Sequence, residues 1–120
     1  VNASWRSEAL LVLLWSLGSV EVLPGLSEQC DTGTFQAILP PFADVSVAQF
    51  VSSARRRSDE ELLEFADEML SSHWEARDAQ IHNRAMPVHL DIGIIQERHH
   101  AINWVIGYEG LPWDEVTTDT

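Results

Sequence analysis

Glu97 and His100 stand three residues apart in the run Ile-Ile-Gln-Glu-Arg-His-His-Ala-Ile-Asn-Trp, residues 94–104. On a helix that spacing puts a carboxylate and an imidazole on one face. Glu-x-x-His is the inward-facing unit of di-iron helical bundles, but such a site takes two of these units and two more carboxylates from other helices. This chain holds one unit. His73 and His82, with Asp67, Asp78 or Asp114, complete a mononuclear site only where folding brings them together. The metal candidates are therefore Glu97, His100 and His73, and no metal or other cofactor is expected. For acid–base chemistry the usable groups are Glu97, Asp114, His73 and His100. Ser7, Ser71 and Ser72 are hydroxyls outside any Gly-x-Ser-x-Gly elbow. No glycine-rich phosphate loop is present. Cys30 lies in a loop, away from a helix start that would lower its pKa.

The same run also reads as packing. Ile95, Ile102 and Ile106 fall on one helical stripe, with Ile94, Arg98, Ala101 and Val105 beside it. Arg98 is thereby drawn to the apolar face, where a charge is costly unless paired and hydrogen-bonded. Its candidate partners are Glu97, Glu8, and Asp114 or Asp119 of the acidic tail. The Asn103 amide is placed to bridge the tail backbone. Trp104 and Trp113 are expected to pack together, with Trp15 or Trp74. On this reading Glu97, Arg98, Asn103, Trp104, Trp113 and Asp114 form one polar and aromatic cluster that locks the tail across the helices.

Several elements must position that cluster. Residues 4–17 read as a first helix, capped by Asn2 or Ser4 and ended by Gly18. Residues 9–15 are apolar all round, as in a helix buried on several sides, so this is the expected central helix. Residues 18–42 are mostly connection. Within them residues 35–39 are a short apolar piece, strand or one helical turn, stopped by Pro40-Pro41. Residues 45–54 form a short helical segment capped by Asp44 or Ser46. Arg55, Arg56 and Arg57 then face the acids Asp59, Glu60 and Glu61, so mutual neutralisation is a better reading than a phosphate site. Ser58 with Glu61 is a capping box, with acids at the positive helix end. It opens a helix of about residues 59–81. Leu62, Phe65, Ala66, Met69, His73 and Ala76 form its buried stripe, which Leu63, Leu70 and Trp74 widen. Residues 83–89 are a loop broken by Pro87. Asp91 caps the helix that carries the cluster, residues 92–107, with Gly107 or Gly110 at its exit.

The chain of 120 residues is long enough for one domain with a real core. A formal net charge of -12 argues against nucleic acid, whose affinity comes largely from cations at the phosphates, and against anionic membrane surfaces. Such a charge chiefly keeps a protein soluble, and it would suit a basic partner. All seven basic residues are arginine, the cation that survives burial best. One cysteine excludes an internal disulfide and fits a reducing cytoplasm. Residues 8–17 fail as a signal peptide, with a glutamate at the start, Trp15 near the end and no A-x-A site. They are too short to span a bilayer. Asn2-Ala3-Ser4 matches a glycosylation sequon, a short pattern with little weight.

Three blocks together resemble a bacterial family of unknown function, DUF4272. They are Trp5-Arg6-Ser7-Glu8-Ala9-Leu10 running into Leu14-Trp15-Ser16-Leu17-Gly18; His73-Trp74-Glu75-Ala76-Arg77-Asp78-Ala79; and residues 97–104 with the tail at 113–120. The resemblance covers most of the chain from Trp5 onward. It implies an all-helical, cytoplasmic bacterial domain with further residues upstream of Val1, and marks the Glu97–Asp114 cluster as family-defining. It supplies no activity. His99 and His100 stand where the family pattern shows arginine and tyrosine. The expectation is a single all-α domain over residues 1–120. It is a compact bundle of about four helices in all, the apolar first one central, with the C-terminal tail packed back on it. Its expected function is non-catalytic binding of a protein partner or of itself, with neither nucleic acid nor membrane as partner. The alternative is a small metal-assisted hydrolase using Glu97, His100 and Asp114.

Overall fold

The computed structural model describes residues 2–40 and 43–120, with side chains from Arg6 onward. The expected caps Asn2 and Ser4, the sequon and the Trp5 ring have side chains outside the described residues, and so has the second proline of the stop at 40–41. The chain is all-α. Five helices are present among the described residues: α1 (Asn2–Ser16), α2 (Gly33–Ile38), α3 (Val47–Ser53), α4 (Asp59–Ile81) and α5 (Ile92–Val105). Two 3-10 turns, Tyr108–Gly110 and Trp113–Glu115, follow. The ambiguous piece at 35–39 resolves as the short helix α2, with Phe35 buried. Residues 45–54 shorten to α3.

The helix boundaries follow from side-chain capping. Ser58 Oγ accepts the Glu61 backbone N–H at 3.2 Å, with Asp59, Glu60 and Glu61 in the first turn of α4. Asp91 Oδ1 accepts the N–H groups of Gly93 and Ile94 at 2.9 and 3.3 Å. Of the two caps considered for α3, Ser46 serves, in a reciprocal box with Gln49. Gly107 ends α5 in the left-handed region, at φ 74°.

Helix α5 packs along both α1 and α4. Ala9 and Val12 of α1, Leu62, Phe65, Ala66 and Met69 of α4, and Ala101 and Ile102 of α5 share one core cluster. Leu11 and Leu14, on another side of α1, meet Val20 and Phe35 in a second. This is why α1 carries no polar face: it has a core on two sides. Its C-terminal carbonyls are answered by the arginine segment. Arg57 N–H donates to Ser16 O at 2.9 Å and Arg55 N–H to Leu17 O at 2.8 Å.

The buried stripe of α4 is the one its sequence describes, from Leu62 to Ala76, continued by Ala79. The widening of that stripe is a correction. Leu63, Leu70 and Trp74 are 52%, 45% and 58% exposed, and Ile81 is 68% exposed. Helix α4 is covered by α5 and α1 along one side, so apolar residues beyond that arc face outward.

Candidate functional site

Arg98 is fully buried at 0% exposure, yet every one of its donors has an acceptor. Nε and Nη2 donate to Glu8 Oε1 at 3.1 and 2.9 Å. Nη2 also donates to Glu28 O at 3.1 Å, and Nη1 to Pro24 O at 2.7 Å, with Gly25 O at 3.4 Å. The other Glu8 oxygen accepts the Cys30 N–H at 2.7 Å. One guanidinium thus joins α5, α1 and the loop at 24–30, the planar fork matching carboxylate and carbonyls at once. Of the partners considered, Glu8 is the one that meets Arg98. Glu97 is not among its bonds, and Asp119 instead accepts from the Tyr108 and Thr117 hydroxyls at 3.0 and 2.9 Å. Burial, then the nearby Glu8 carboxylate, push the Cys30 thiol up to about 11. That thiol stays protonated at neutral pH and is a poor nucleophile.

Asn103 is 6% exposed and its amide donates to Thr117 O at 3.0 Å, tying the tail to α5. Trp104 and Trp113 meet edge to face with centroids 5.5 Å apart. The expected third tryptophan is absent from this pair. Trp15 packs on Phe65 at 4.9 Å and under the Arg57 guanidinium at 4.4 Å, and Trp74 faces solvent. Arg57 also donates to the carbonyls of Trp15, Val20 and Glu21 and pairs with Glu61 at 3.1 Å. Arg56 pairs with Asp59. The arginine run therefore binds acids and backbone of its own chain. Asp114 lies exposed on the second 3-10 turn.

Glu97 and His100 do share a cavity, about 250 Å³, with Arg6, Gln96 and residues 116–118. The His100 ring lies against Trp113 at 4.5 Å, and its Nε2 is buried with no hydrogen-bond partner among the described residues. His73 is not part of this cavity. Its Nδ1 faces Nδ1 of His99 at 2.9 Å, both rings buried. One nitrogen must donate and the other accept, so at most one of the two rings carries a charge. Burial and the approaching His73 depress the His99 pKa to about 4. Burial and Arg77 lower that of His73. The helical period puts His73 on a buried stripe but does not reveal its partner. The available signal was a second histidine, His99, directly beside Arg98 in the buried helix. Among the described residues no three His, Cys, Asp or Glu side chains converge to hold a metal. No described helix is long and apolar enough to cross a membrane.

Apolar side chains also reach the surface among the described residues, and two groups of them matter here. A groove of about 580 Å³ is lined by Leu13, Ser16, Leu17, Arg56, Trp104 and Val105. The other is the outward row on α4: Leu63, Leu70, Trp74 and Ile81.

A family model described as Domain of unknown function (DUF4272) matches residues 1–116. No curated protein and no solved structure matches the chain.

Proposed function

The chain belongs to the DUF4272 family, whose description carries no activity, and from that premise we propose that it is a non-catalytic domain that binds a protein through the outer face of α4. The observation that carries this reading is the row Leu63, Leu70, Trp74 and Ile81, each between 45% and 68% exposed on one long helix. Scattered apolar residues on a surface mean little, but apolar residues aligned along one helix face are a feature of interaction sites. The polar cluster supports the reading from the other side. Arg98, Glu8 and Asn103 are consumed by bonds within the fold, and Cys30 is held protonated. The hydrolase alternative has Glu97 and His100 on one cavity. It lacks a third metal ligand beside them among the described residues. We place the domain in the bacterial cytoplasm, on the resemblance and the single thiol. Apolar partners suit the α4 row better than nucleic acid does, given the net charge of -12.

The test is photo-crosslinking in the cell, with the reactive group at position 74 in one protein and at position 97 in another. Protein adducts at 74 and none at 97 are expected. Adducts at 97 alone, or at neither, would overturn the assignment to α4.

A further inference from the structure

The outer face of α4 is self-complementary. Residues 63, 67, 70, 74, 77 and 81 are Leu, Asp, Leu, Trp, Arg and Ile, separated by steps of four, three, four, three and four. That is the spacing of a coiled-coil seam. At 100° per residue the six fall within an arc of about 80° and run for about 27 Å. The four apolar members are the exposed row described above, and Asp67 and Arg77 are exposed with them. Neither Asp67 nor Arg77 makes an ion pair within the chain among the described residues.

The row is symmetric about the level of residue 72. Set two copies of α4 antiparallel, with a two-fold axis at that level. Leu63 then faces Ile81 of the second copy, Leu70 faces Trp74, and Asp67 faces Arg77. The symmetry repeats each layer, giving four apolar layers and two opposite-charge layers. A parallel pairing in register would instead set Asp67 on Asp67 and Arg77 on Arg77. The charged layers therefore choose both direction and register, as single polar seam positions do in coiled coils. On the outer flank this register brings Glu64 near Asp78 of the second copy. Arg84 and His82 already engage Asp78 and temper that approach.

We propose that the partner of the α4 face is a second copy of this chain, held as an antiparallel two-fold helix pair by Leu63–Ile81, Leu70–Trp74 and Asp67–Arg77 layers. This rests on the reading of α4 as a protein-binding face and names its occupant. The seam is one helix long, so association at the weak end of specific interfaces is expected, dimer forming as concentration rises.

Sedimentation velocity on the full chain over a concentration series tests it, with circular dichroism to show each variant folded. The parent is expected to reach twice the monomer mass. Asp67→Arg alone and Arg77→Asp alone each place like charges in two layers and are expected to stay monomeric. Mixed one to one, they satisfy both charged layers and are expected to form a heterodimer, and the double variant is expected to dimerise by itself. A parent that stays monomeric overturns the proposal, and the broader reading then stands or falls on the crosslinks at 74 and 97. A dimer lost in Trp74→Glu but not restored by mixing the charge variants also overturns it, while leaving α4 as a binding face. A dimer indifferent to Trp74→Glu and to both charge variants overturns it and places self-association elsewhere.

Discussion

Replacing Glu8 by Gln keeps the shape of the side chain and removes its charge. In the parent, Arg98 and Glu8 have side chains 1% and 2% exposed and meet at 2.9 Å. The variant leaves the guanidinium with the carbonyls of Pro24, Gly25 and Glu28 and a neutral amide oxygen. An arginine cannot shed its proton to escape, so it stays charged in a site with no counter-ion. Removing one partner of such a pair costs about 3–5 kcal/mol. A domain of this size has on the order of 6–18 kcal/mol in total, so the protein is expected to fold but with much of its margin gone. The midpoint of thermal unfolding is expected to fall by roughly 10–20 °C. Urea denaturation followed by circular dichroism at pH 7 measures the loss. Arg98→Met leaves Glu8 without its partner too, though a carboxylate can take up a proton where arginine cannot lose one, so the double variant should cost clearly less than the two single losses added. A Glu8→Gln protein within about 0.5 kcal/mol of the parent, or strict additivity in the cycle, would refute the idea that this pair locks the fold.

Stability is also expected to fall on mild acidification. The folded pKa of His99 is depressed from 6.5 to about 4, so between those values the unfolded chain binds a proton that the folded chain refuses. The stabilisation is complete above about pH 6.5 and is lost as pH falls toward 4, on the order of 3 kcal/mol from this group. Urea midpoints at a series of pH values check it, and a flat profile down to pH 4.5 would contradict a neutral His99. Gly18 sits at φ 78°, and a Cβ there would lie 2.6 Å from the Arg55 carbonyl oxygen. Gly18→Ala is therefore expected to cost about 2–3 kcal/mol by strain and by displacing the residue 55–57 segment, read as a lowered urea midpoint.

Much of the scaffold was legible because local chemistry decides it. The serine cap at Ser58, the carboxylate at Asp91 and the left-handed exit at Gly107 each act within a few residues of their own position. The stripe of α4 and the burial of Arg98 follow from helical period. The partner of Arg98 was narrowed to a few acids but not chosen, since Glu8 is 90 positions away in the chain and only the helix packing brings it there. The apolar arc of α4 misled for a related reason. Period shows which residues share a face, and it does not show how much of that face the neighbouring helices cover. Leu63, Leu70 and Trp74 look like core in the sequence because nothing local marks where α5 stops covering. The His73–His99 contact was hidden in the same way, each ring lying on the stripe of a different helix.

The outward face of α4 is the centre of this account, and the protein carries its own internal control for it. Trp74 is 58% exposed on that face and Trp104 is 42% exposed on the other apolar surface. Hydroxyl-radical footprinting of the purified protein, across a concentration series, reads the oxidation of both rings in one experiment. Trp74 is expected to become protected as concentration rises while Trp104 stays equally reactive. Protection of Trp104 with Trp74 unchanged would move the interface to the Leu13, Leu17 and Val105 groove and contradict the assignment to α4.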